Sequence, residues 1–268
     1  MIRVSRVLLC KPTYFNVEFI INPHMQPYSV DKARAMSQWE NLKATLEKLG
    51  VSVEVIEQKP DVPDMVFATD QGIVRDGQVL LANFRYDQRK REREYYRDWF
   101  RDHGFGLRAL SNVFSFEGGD TLFFDDMLLV GTGFRANVAG CEELSKKLDV
   151  DVFPLRLVDA NYYHLDMCFL PLDEQTAFYY PPAFSASSAK LLQRIVPNLH
   201  ELTAEEAAGF SANSFVTDKN VLLQTGNQSF KSKLEELDYK VTEVDVSEFN
   251  KAGGGIHCLI NYLEWSYT

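Results

Sequence analysis

Five residues that could do chemistry stand at equal intervals along this chain. Asp70, Glu117, His164, Ser211 and Cys258 follow one another in steps of 47 residues. A cysteine with a histidine suits nucleophilic catalysis: the thiolate is a good nucleophile near neutral pH, and imidazole can give and take protons there. A carboxylate such as Glu117 would orient the histidine and favour its protonated form. Asp166 lies two residues past His164 and, on a strand, would share its face. Asp70 and Asp166 are then two further carboxylates in one pocket. They call for a cation with several N–H donors, and a guanidinium meets them with paired hydrogen bonds. Cys258 itself follows Gly253-Gly254-Gly255, where backbone can turn sharply and a ligand can come close. The plainer alternative is a set of polar hairpin edges and a packed, inert thiol.

The elements that must position these residues repeat as well. Residues 72–74 and 79–82 read as a hairpin around Asp76-Gly77, followed by a helix over 87–103 and a strand over 106–110. The same order recurs with hairpin strands 121–124 and 127–130, helix 138–148 and strand 150–157. It recurs again with a hairpin turning at Asp173-Glu174, helix 185–195 and residues 199–202, and then with a hairpin turning at 218–220, helix 229–237 and strand 240–246. Ahead of these units stand a strand over 3–10, a helix over 29–49 capped by Ser29 and ended by Gly50, and a strand over 51–56. Residues 65–68 read as a further strand. A fixed period in this range signals a repeat architecture. Five units around an axis would bring corresponding positions together, and the N-terminal strand would pair with the strand after Cys258 and close the ring. The expectation is one domain over residues 1–268, with Asp70, Glu117, His164 and Cys258 facing one another at one end.

Composition excludes several classes. The chain has 268 residues, 46% of them hydrophobic, and no apolar run long enough for a membrane span. Its N-terminus is not read as a signal peptide. A net charge of −10 argues against nucleic acid as a partner. The basic cluster Arg89-Lys90-Arg91-Glu92-Arg93 reads as a solvated helix face. Cys10, Cys141, Cys168 and Cys258 are widely spread and form no C-x-x-C pair, so neither a zinc site nor a disulfide framework is expected. A reducing, cytoplasmic setting fits them best. Cys10, Cys141 and Cys168 read as packed thiols, and His257 as structural, because adjacent strand residues point oppositely.

Together, Glu117-Gly118-Gly119-Asp120, His164-Leu165-Asp166 and Gly253-Gly254-Gly255-Ile256-His257-Cys258 resemble the signatures of the guanidine-modifying enzymes. This superfamily includes arginine deiminase, agmatine deiminase, dimethylarginine dimethylaminohydrolase and the amidinotransferases. The stretch Asp64-Met65-Val66-Phe67 through Asp70 and the segments around Asn22-Pro23, Phe84-Arg85 and Gly133-Phe134-Arg135 match too, so the likeness spans nearly the whole chain. It implies a five-bladed α/β-propeller of ββαβ modules, a pentein. It further implies that Cys258 attacks the guanidinium carbon and forms a covalent amidino-thioether. His164 then protonates the leaving amine and activates water, with Glu117 in support. Asp70 and Asp166 hold the guanidinium nitrogens, while Arg85 and Arg135 match arginines that bind a substrate carboxylate. Asn22, Asp64 and Phe67 fall on the substrate side by the same matches. No metal or organic cofactor is implied, and the partner is a small arginine-like guanidinium compound; a homo-oligomer is compatible with the sequence.

Within the superfamily the chain departs from each pattern. Thr69-Asp70 stands where dimethylarginine hydrolases carry Glu-Asp, and those enzymes lack the aspartate after the histidine. Opposite a methylated nitrogen, Asp166 would stay unpaired, which favours an unmethylated substrate. Ile21-Asn22-Pro23-His24-Met25 resembles the start of short bacterial-type arginine dihydrolases, which release ornithine, but Asp70 replaces their second asparagine. A charged aspartate should release neutral citrulline more readily. Hydrolysis to a ureido product such as citrulline is therefore expected. An amidinotransferase, a dihydrolase giving ornithine and a non-catalytic binding propeller are the alternatives.

Overall fold

The described residues form five three-stranded sheets, each with one antiparallel and one parallel pairing. The computed structural model describes residues 1–111 and 113–267. Strand β1 (Ile2–Lys11) is followed by a helix, Lys32–Lys48, and by β2 (Ser52–Glu57), which lies parallel to β1. Then β3 (Gly72–Arg75) and β4 (Gln78–Leu81) form a hairpin, with β5 (Gly106–Ala109) parallel to β4. The pattern repeats through β6 (Thr121–Phe124), β7 (Met127–Thr132) and β8 (Asp151–Arg156), and through β9 (Phe169–Pro171), β10 (Thr176–Tyr179) and β11 (Asn198–Glu201). It repeats once more in β12 (Phe215–Thr217), β13 (Asn220–Gln224) and β14 (Lys240–Val244). Last, β15 (Ile260–Tyr267) returns to β1 and pairs with it antiparallel, Leu9 opposite Ile260 and Ile2 opposite Tyr267. The first and last strands thus complete one ββαβ unit between them, and the ring is the expected five-bladed α/β-propeller.

Local chemistry explains the repeat. The β3–β4 turn, Asp76-Gly77, has φ of 50° and 70°, the backbone a two-residue hairpin needs. Middle strands are flanked on both edges and carry apolar runs. Val7, Leu8 and Leu9 of β1 are fully buried, each worth ~1.5–3 kcal/mol against exposure. No helix among the described residues is long and apolar enough to cross a membrane.

Several element expectations need correction. The first helix begins at Lys32, capped by Asp31, whose side chain accepts from Arg34 N at 3.0 Å; Ser29 instead donates to Gln26 O. Residues 65–68 form no strand but run through two 3₁₀ turns, Pro63–Val66 and Ala68–Gln71. The expected helix over 87–103 is broken into Asp87–Lys90 and Glu92–Asp102. A short capped helix, Ala204–Ala208, went unforeseen.

Candidate active site

Four of the five residues of the 47-residue register lie where short 3₁₀ turns lead into the first strands of the blades. Asp70 lies in Ala68–Gln71, Glu117 caps Gly118–Asp120, His164 caps Leu165–Met167, and Cys258 lies in His257–Leu259. Asp166 is therefore in a 3₁₀ turn rather than on a strand, which corrects the shared-face argument. All five residues are at most 3% exposed.

One part of the cluster is dense with ion pairs. His164 Nε2 lies 3.1 Å from Glu117 Oε2, and Nδ1 lies 3.5 Å from Asp70 Oδ1. Arg135 Nη1 donates to Glu117 Oε2 at 3.1 Å, and Nη2 donates to Ile21 O at 3.1 Å. The Arg135 guanidinium is sandwiched between Tyr86 and Tyr163, 4.6 and 4.7 Å from the ring centres. Asp120 completes a capping box by accepting from Glu117 N at 2.8 Å. Burial works against the charged form of His164, but Asp70, Asp120 and Glu117 outweigh it and lift its pKa to about 9. Burial works against Glu117 too, yet Arg135, His164 and Arg89 hold it well below the usual carboxylate range.

Arg89 is the residue that sequence reasoning misplaced. It is 3% exposed, not on a solvated face, and so is its neighbour Glu92 fully buried. Arg89 Nη1 donates to Asp70 Oδ2 at 2.6 Å, its Nε and Nη2 donate to the two oxygens of Glu92 at 3.0 and 2.9 Å, and its Cζ lies 4.7 Å from the Phe84 ring centre. Arg85, by contrast, is exposed and outside the cluster. The helix starts only at Asp87, so its inward side begins at residue 89. Asp64 faces the same guanidinium at 4.0 Å; burial pushes its pKa up to about 7, and its Oδ1 is without a partner. Phe67 is buried, with its ring 6.0 Å from Arg89.

The surroundings of Cys258 are sparser. Asp166 Oδ2 is 3.4 Å from Cys258 Sγ and 3.1 Å from His257 Nδ1, while Asp166 Oδ1 is buried without a partner. His257 is therefore tied to the site through Asp166, a contact the strand argument for this residue could not foresee. Burial, then Asp166 and Asp70, push the Cys258 thiol well above its usual pKa, against the Gly255 N–H and Asn213. Asn213 Nδ2 donates to Sγ at 3.1 Å, and Asn213 Oδ1 accepts from Cys258 N at 3.1 Å. Asn213 was not among the expected site residues, although it follows Asp166 by the same 47 residues. Ser211, the register position itself, is turned away and donates to Asn227.

The glycines before the thiol are close-packed. Gly253 has φ +88°, and a Cβ there would sit 2.7 Å from Asn22 Oδ1. A Cβ on Gly255 would meet Asn213 Oδ1 at 2.7 Å. Asn22 is a tether in this arrangement, donating to Ala252 O at 3.0 Å and to Tyr163 Oη at 3.2 Å. The Thr69 hydroxyl lies between His257 O and Ile260 O, and its proton is directed to these backbone carbonyls. Cys10, Cys141 and Cys168 are buried, and burial raises the pKa of each.

Ligand-capable atoms of Asp70, Glu117 and His164 lie within 4.8 Å of one another, a grouping that could hold a cation. Arg89 and Arg135 already lie against these carboxylates, so an entering metal ion would meet two fixed positive charges. An apolar cavity of about 100 Å³, lined among others by Ile73, Leu122, Phe169 and Trp265, reaches the cluster at Asp166 and His257.

Residues 12–264 match the family model described as N,N dimethylarginine dimethylhydrolase, eukaryotic. The chain is 35% identical over 261 residues to a bifunctional arginine dihydrolase/ornithine cyclodeaminase, ArgZ, of Synechocystis, covering 95% of this chain and 37% of that protein. It thus spans little more than a third of that relative's length. It is 33% identical over 258 residues to the N(G),N(G)-dimethylarginine dimethylaminohydrolase of Mycobacterium tuberculosis, covering 96% of this chain and 85% of that one. A variant of the cyanobacterial ArgZ N-terminal domain, solved covalently bonded to a reaction intermediate, superposes with a TM-score of 0.93 at 33% identity, over 97% of both chains.

Proposed function

The chain belongs to the N,N dimethylarginine dimethylhydrolase family, and on that premise we propose that it hydrolyses the guanidinium group of arginine or a close analogue, releasing ammonia and a ureido product such as citrulline. One observation carries the choice of substrate chemistry. Asp166 holds an unpartnered, buried carboxylate oxygen beside a thiol, its other oxygen 3.4 Å from Sγ. A cation bearing N–H groups satisfies that oxygen and brings its central carbon to the sulfur. A dimethylated nitrogen would leave it unsatisfied.

Burial and two carboxylates oppose ionisation of the thiol and keep it protonated. An incoming guanidinium places positive charge among those carboxylates and removes that opposition. Cys258 then loses its proton to solvent, and the thiolate attacks the guanidinium carbon. His164, held protonated by its carboxylates, gives its proton to the departing nitrogen as the C–N bond breaks, and ammonia leaves. Neutral His164 next takes a proton from water, the hydroxide adds to the amidino carbon, and the C–S bond breaks to regenerate the thiolate while the added hydroxyl gives its proton to solvent, leaving the neutral ureido product. The covalent intermediate in the relative supports this sequence. Glu117 orients His164; Asp70 backs it from the other ring nitrogen and holds Arg89. Arg89, in place of Arg85, and Arg135 present guanidiniums to a substrate carboxylate, and Asp64 is left for a substrate amine.

A dihydrolase outcome is the second reading, favoured by the likeness to ArgZ. Against it stands Asp70, an acid held by Arg89 and His164 where the dihydrolase pattern has an asparagine, and citrulline is the end product taken here. Purified protein is given L-arginine and its products are counted. Citrulline with one ammonia is expected; ornithine with two ammonias and no citrulline would overturn the hydrolase reading. An added amine such as glycine should yield no new guanidino product.

A further inference from the structure

Asn213 and Asp166 occupy equivalent places in adjacent blades, 47 residues apart, and flank the same sulfur. One is an anion facing where a cation would bind; the other is a neutral amide. We propose that Asn213 is a catalytic residue that receives the negative charge of the Cys258 thiolate, its carboxamide locked so that only N–H can face the sulfur.

The lock is visible in the bonding. The Cys258 backbone N–H is a donor and can be satisfied only by the amide oxygen, which accepts it at 3.1 Å. That fixes Nδ2 on the other side, where it donates to Sγ at 3.1 Å and to Asp166 O at 3.2 Å. The next backbone group joins in, with His257 N donating to Asn213 O at 3.1 Å. Asn213 is fully buried, and Gly255 leaves the space it fills, since a Cβ there would lie 2.7 Å from Oδ1 and 3.1 Å from the Asn213 Cβ. A donor held this way pays no reorganisation when charge appears, and a hydrogen bond to an ion is about twice as strong as one between neutral groups. The titratable groups around the sulfur are Asp166, Asp70, Tyr163 and, through Asp166, His257. Asp166 and Asp70 oppose the thiolate, and Asn213 is the side chain that donates to it.

This role rests on the reading of Cys258 as nucleophile, but its test needs no guanidine substrate. The rate of Cys258 alkylation by iodoacetamide is followed against pH, on its own peptide by mass spectrometry, which separates it from Cys10, Cys141 and Cys168. Asn213→Asp keeps the acceptor for Cys258 N and turns the donor into an anion; Asn213→Ala removes both. Melting temperatures establish that each variant folds. We expect the midpoint to rise by about one pH unit or more in Asn213→Asp, with alkylation at neutral pH slowed ~10-fold, and to rise less in Asn213→Ala. Folded Asn213→Ala with the wild-type midpoint overturns the proposal, whether or not Asn213→Asp folds. Failure of the arginine reading would instead appear as an absent product alongside an Asn213-dependent midpoint.

Discussion

The two sides of the site are built on opposite terms. Around Glu117 opposite charges converge: His164, Arg135 and Arg89 approach its carboxylate within 3.1 to 3.6 Å. Around Cys258 the bonding is left incomplete, with one oxygen of Asp166 unpartnered and the thiol held neutral by its neighbours. A buried polar atom without a partner costs about 1–3 kcal/mol, so that side is less stable than it could be. The difference separates two tasks. The paired side fixes geometry and holds a proton on His164; the unpaired side keeps a vacancy for a cation.

Substitutions can break this contrast. Glu117→Gln removes the charge that three buried cations, His164, Arg135 and Arg89, share, and leaving such partners uncompensated costs ~3–5 kcal/mol. We expect a large drop in melting temperature together with lost activity; unchanged melting would mean the pairs there do not hold the fold. Asp166→Asn should act on function alone. It removes a buried charge facing no fixed cation, so kcat/KM for arginine should fall ~10²-fold while stability holds or rises. A parallel loss of stability would place Asp166 on the structural side.

The pH profile sharpens the same line. His164 is raised to about 9 and must be protonated to assist the leaving group. Activity should therefore persist below that value and fall as pH rises through it. A basic limb near 6.5, the unperturbed value, would show that the carboxylates around His164 do not act on it. The smallest effect is expected at Arg85→Ala: less than about twofold in kcat/KM, since surface changes away from a site seldom matter. A substantial rise in KM there would return to Arg85 the role given above to Arg89.

The ring itself was legible because its period is strict: a step of 47 residues found Asp70, Glu117, His164 and Cys258, and the pairing of β1 with β15 follows from closing the ring. The same step from Asp166 reaches Asn213, a signal present in the sequence but two residues off the register of Asp70, Glu117, His164 and Cys258. Arg89 was not legible. Charge patterning reads Arg89 to Arg93 as one solvated face, whereas the helix breaks at Arg91 and turns Arg89 and Glu92 inward as a pair. Residues 65–68 look like a strand because their composition is apolar, yet they coil as 3₁₀ turns that bring Asp64 and Asp70 to the same guanidinium. In each case tertiary pairing of charges decided what local pattern could not.

The central claim, that Cys258 attacks the guanidinium carbon, is tested most directly by quenching the protein with arginine in acid during turnover and weighing its peptides. The account predicts an adduct of arginine less ammonia on the peptide carrying Cys258, absent in Cys258→Ala, which should make no citrulline. Citrulline formed by Cys258→Ala, or turnover by the wild type with no adduct on that peptide, would contradict it.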